Sequence, residues 1–125
     1  ACRNIASTGG GVLALDYEPI VAHACPSLPP QPLRHVFFAR FKPGAPTAEL
    51  IAGYSGLPKL IDEMKAFEWG EVDVEGYTHI FMTTFNSAAD RDAYLAHDAH
   101  EAFAAKILSF IDKIVIFDFF DVHGQ

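Results

Sequence analysis

Cysteine is scarce: Cys2 and Cys25 both lie in the first quarter, and the hundred residues after them hold none. The main part of the chain is therefore not a disulfide scaffold. The two thiols either close one bridge in an oxidising compartment or stay free. Basic residues are few as well, 9 Lys and Arg against 16 Asp and Glu, for a formal charge of −7. Nucleic acid and anionic membranes are recognised by clustered Lys and Arg, so neither is expected as the main partner. No apolar run approaches the roughly 18 residues that a membrane span needs. Gly-rich phosphate loops, dinucleotide fingerprints and a Ser-His-Asp order are missing too. A signal peptide is not expected, because Val12-Leu13-Ala14-Leu15 is too short for an h-region and runs into Asp16. The chain opens at Ala1, so processing of a targeting segment stays open. The expectation is a soluble protein, cytoplasmic or organellar.

What is present is globular material rich in phenylalanine. Half of the 125 residues are hydrophobic, 20% are charged and 11 are Phe. That length fits one domain. So much aromatic bulk needs either a dense core or a surface shared with a partner. Composition breaks near residue 32. Before it stand only three charged residues, Arg3, Asp16 and Glu18, with Gly9-Gly10-Gly11 and four prolines between Pro26 and Pro32. Residues 1–32 therefore read as a Pro/Gly-rich arm, in which Val12 to Leu15 could dock as a short strand or turn. Residues 33–125 read as the domain.

Regular patterns begin at Leu33. Leu33–Phe41 is β-rich and ends at Lys42-Pro43-Gly44, a turn signal. Thr47 is expected to cap a helix carrying Leu50, Ile51, Tyr54, Leu57, Leu60, Ile61 and Met64, weakened by Gly53 and Gly56 and split at Pro58. Phe67–Val72 and Thr78–Phe85 follow as strands. Ser87 with Asp90 opens a second helix, and Asp98 with Glu101 a third, with Phe103, Ile107, Phe110 and Ile111 inward. Lys113–Phe120 is the last strand. The order is that of a ferredoxin-like split βαβ fold, an α+β protomer with a four-stranded antiparallel sheet and helices on one face. Both strand faces are apolar, so the uncovered one predicts a homodimer packed sheet to sheet. Phe37 and Phe81 are expected inside that barrel, where an acidic substitution would break the dimer.

The stretch from His35 to Asp118 resembles the stress-responsive dimeric α/β-barrel family. The carrying residues are His35 with Phe41-Lys42-Pro43-Gly44, Phe67-Glu68-Trp69-Gly70, Gly76-Tyr77-Thr78-His79, Thr84-Phe85, Tyr94 through His100 with Phe103, and Ile116-Phe117-Asp118. Asp98 replaces the proline usual between the two histidines. The resemblance implies a dimeric α/β barrel with an apolar cavity between sheet and helices. One plant member of the family is a polyketide cyclase, whose catalytic Tyr and His map onto Tyr94 and His100. The matching lining positions are His35, Phe37, Tyr54, His79, Phe81, Phe103, Ile111, Ile114 and Ile116. A neutral His100 near a helix N-terminus could act as general base, and Tyr94 could hydrogen-bond a developing enolate. His35 and His79 are read as possible cross-strand neighbours. Some members also hold a Mg²⁺-like cation on main-chain carbonyls, which here map to Pro58, Ile61 and Met64. No other cofactor is expected. Two readings follow: a cyclase- or lyase-like acid–base protein for a hydrophobic small molecule, or a non-enzymatic dimeric stress or assembly module that docks through residues 1–32.

Overall fold

The structure is a computed structural model that describes residues 20–24 as backbone and residues 31–121 with side chains. The expectations for Cys2, Cys25 and Val12–Leu15 fall outside the described residues. Along the chain come β1 (Ile20–Ala24), β2 (Leu33–Phe41), α1 (Thr47–Gly56), a 3₁₀ turn (Leu57–Lys59), β3 (Ala66–Val74), β4 (Tyr77–Phe85), α2 (Ala88–Ala96), α3 (Asp98–Leu108) and β5 (Ile111–Phe120). The strands form one antiparallel sheet in the order β1-β3-β4-β2-β5. Strands β2 to β5 make the expected ferredoxin-like four. The fifth, β1, comes from the stretch read as an arm and pairs along β3, with Ile20 opposite Trp69 and Ala24 opposite Ala66.

Alternation along β2 builds two cores. Leu33, Phe37 and Ala39 face the helices and pack with Leu50 and Tyr54 of α1, Phe67 of β3, Phe81 and Phe85 of β4, Tyr94 of α2 and Ile107 of α3. Val36 and Phe38 face the other way and join Ile80 and Met82 in a smaller cluster. The uncovered face is therefore less bare than its sequence implies, since these four are buried within the chain. Exposed apolar bulk sits instead on the edge strand β5, where Ile114, Val115, Ile116, Phe117 and Phe120 are 38–57% exposed. Phe37 and Phe81 lie under the helices. A charge at either would cost several kcal/mol of folding free energy and would not report on a dimer.

Local chemistry corrects three further expectations. Thr47 does not cap α1: it is the first helical residue, and its hydroxyl donates to the Ala45 carbonyl at 3.3 Å. Ser87 does cap α2, accepting from Asp90 N–H. Asp98 does not cap α3. His97 does, extended at ψ 137°, with its Nδ1 accepting from Ala99 N–H at 3.0 Å. A neutral imidazole nitrogen can take the place of a carboxylate oxygen there. His100 consequently sits at the third helical position. Ile111 belongs to β5, not to the helix. The β3–β4 hairpin turns on Glu75 and Gly76, both at positive φ, as a two-residue primed turn demands.

Candidate active site

His35 is placed by register: on the helix side of β2 it lies between Thr83 of β4 and Asp118 of β5. It is 6% exposed, and its Nδ1 meets Asp118 Oδ1 at 2.6 Å. Two helix residues close over it. The Tyr94 ring stands edge-on at 6.0 Å between centroids, and His100 packs against Tyr94 at 4.4 Å. One strand and two helices thus bring three of the expected residues together.

Burial sets the proton states of Tyr94 and His100. Tyr94 is 1% exposed, and burial, with Tyr54 adding to it, holds its phenol well above the ordinary tyrosine value. The Tyr54 phenol is pushed up to about 12 by burial, with Tyr94 and Thr83 pulling it partly back. Both phenols are therefore proton donors at neutral pH. The Thr83 hydroxyl beside Tyr54 is buried without a hydrogen bond of full geometry. His100 is half-buried. Desolvation lowers its pKa first, the Leu95 carbonyl opposes this, and the charge of His35 lowers it again. Its Nδ1 lies 3.2 Å from Leu95 O. A carbonyl only accepts, so the neutral ring carries its hydrogen on Nδ1 and leaves a lone pair on Nε2. That is the form a general base requires.

The remaining expected residues scatter. Phe37, Phe81 and Phe103 surround Tyr54, which stacks on Phe67 at 4.6 Å and on Phe81 at 4.9 Å. These rings pack around Tyr54 between the C-terminal half of α1 and the sheet. Ile111 is buried in the same core. Ile114 and Ile116 sit on the helix side of β5 but without helix cover. His79 is not opposite His35; it faces Ala39, four residues along the strand pair. It lines a separate open groove of about 580 Å³ with Thr47, Ala48, Ile51, Ala52, Trp69 and Glu71. Burial lowers the His79 pKa there, with Glu71 opposing. No group of three His, Cys, Asp or Glu residues that could hold a metal occurs among the described residues. Pro58, Ile61 and Met64 follow α1 as expected, and the Ile61 carbonyl already accepts Met64 N–H at 3.2 Å.

Sequence reasoning missed Asp118 and Arg91 as members of the site. Arg91 of α2 donates to Asp118 Oδ2 at 2.5 Å. A signal was present: Asp118 is a lone charge among the six apolar residues Ile114–Phe120.

An antiparallel sheet in this order with helices over one face defines a ferredoxin-like protein. The model of the stress-responsive A/B barrel domain matches residues 33–121, and the chain belongs to that family. It is 45% identical over 96 residues to the stress-response A/B barrel domain-containing protein HS1 of Arabidopsis thaliana, covering 70% of this chain and 88% of that one. It is 35% identical over 96 residues to olivetolic acid cyclase of Cannabis sativa, covering 70% and 94%. Among solved structures, hydroxynitrile lyase of Passiflora edulis matches with a TM-score of 0.71 and 27% identity over 78% of this chain and 99% of that one. No described helix is long and apolar enough to cross a membrane.

Proposed function

We propose that this domain performs acid–base chemistry on a carbonyl compound, with His100 as base and Tyr94 as proton donor. One observation carries the reading: the two rings touch at 4.4 Å, with His100 Nδ1 committed to Leu95 and Nε2 bare. His100 Nε2 takes a proton from carbon next to a carbonyl. The Tyr94 hydroxyl donates to the carbonyl oxygen as it becomes an enolate, and its raised pKa keeps the phenol protonated. The resulting carbanion closes onto a second carbonyl of the same molecule, as in cyclisation of a poly-β-keto thioester or acid. Likeness to one named cyclase and one named lyase supports this class of chemistry. Tyr94→Phe tests the reading, since it keeps the ring: turnover should fall at least tenfold while the melting temperature holds. Equal turnover in both forms would refute the donor role.

The working unit in this reading is a homodimer that covers the exposed apolar strip of β5. A cation on the carbonyls of Pro58, Ile61 and Met64 is part of the same proposal, as a structural ion only. The filled interior favours a second reading, a non-enzymatic dimeric module with residues 1–32 as docking arm. Retention of a hydrophobic ligand through purification, read by mass spectrometry, favours the first reading over the second.

A further inference from the structure

We propose that Asp118 and Arg91 are positioning residues that fix the ring of His35 beside Tyr94 and His100. What His35 then does rests on the acid–base reading above; the positioning itself does not. Asp118 stands on an edge strand between Ile116 and Phe120, both exposed. Its Oδ1 lies 2.6 Å from His35 Nδ1. A carboxylate only accepts, so Nδ1 holds the hydrogen. Its Oδ2 accepts from Arg91 Nη1 at 2.5 Å, and Asp92 takes another guanidinium nitrogen at 2.9 Å. Each oxygen of Asp118 has one partner, so the carboxylate is held at both ends. Arg91 and Tyr94 share α2, which sets the carboxylate and the phenol in one frame. With Nδ1 engaged, His35 Nε2 turns away from Asp118 and, in the neutral ring, is an acceptor. Leu95 fixes His100 in the same tautomer. Both imidazoles in ring contact with Tyr94 thus have Nδ1 engaged, which leaves Nε2 as the acceptor of the neutral ring.

The test is the tautomer of His35, read by long-range ¹H–¹⁵N correlation on the full chain in mildly alkaline buffer. The wild-type ring should carry its hydrogen on Nδ1. Asp118→Ala should move it mainly to Nε2, the form a free imidazole prefers. Arg91→Met should give a mixture, and Arg91→Lys should restore most of the Nδ1 form. Arg91 is partly exposed, so Arg91→Met carries the test if Asp118→Ala does not fold. An unchanged tautomer in the folded variants overturns the proposal, even if their melting temperatures drop. No substrate is needed. A tautomer change in a chain without turnover keeps the positioning and refutes the acid–base reading; turnover with an unchanged tautomer does the reverse.

Discussion

Tyr94 and His100 draw opposite proton states from the same cause. Burial disfavours charge, so it keeps the phenol protonated and the imidazole neutral. That leaves a protonated phenol and a neutral imidazole in ring contact at neutral pH. The pH dependence of stability follows. His100 and His79 both have folded pKa values below the unfolded 6.5. Each therefore binds fewer protons when folded. Their contribution is complete above about pH 6.5 and declines as pH falls from there toward the folded values. Denaturant midpoints measured between neutral and mildly acid pH should fall, and the slope should flatten in a His100→Gln, His79→Gln double variant. An unchanged slope would place the acid sensitivity elsewhere.

Among elements, α1 carries two glycines that its sequence presents as equal weaknesses, and the fold separates them. A side chain on Gly53 would meet the Phe103 ring at 3.0 Å, whereas Gly56 has open space around it. Gly56→Ala should stabilise by about 0.4–1 kcal/mol, and Gly53→Ala should gain less or lose stability; thermal melts of the two variants check the difference. Local pattern made β2, α1, β4 and the helix pair legible, because period and turn residues decide them. It also brought Tyr94 and His100 to one site through the family motif. It did not find β1, since Ile20–Ala24 is only five residues long, is interrupted by His23 and gains meaning only from pairing with β3. It assigned the α3 cap to Asp98 because propensity favours aspartate, while the backbone put the extended residue at His97. Asp118 escaped notice because its role depends on the β2–β5 register.

At the scale of the whole molecule, exposed apolar surface is concentrated on the edge strand β5, and that is where a second copy should bind. Phe117→Asp should convert dimer to monomer in sedimentation with little loss of monomer stability. Phe37→Asp should instead unfold the chain, because Phe37 sits under the helices. A wild-type monomer at micromolar concentration would contradict the dimer. The proposed role of His100 as base is tested most directly by cyclisation of a linear poly-β-keto thioester, followed by product mass, with wild-type and His100→Ala protein side by side. Product should form with the wild type, at a rate roughly 10²–10⁴-fold higher than with the variant, as for loss of a positioned base. A variant that cyclises at the wild-type rate would contradict that role.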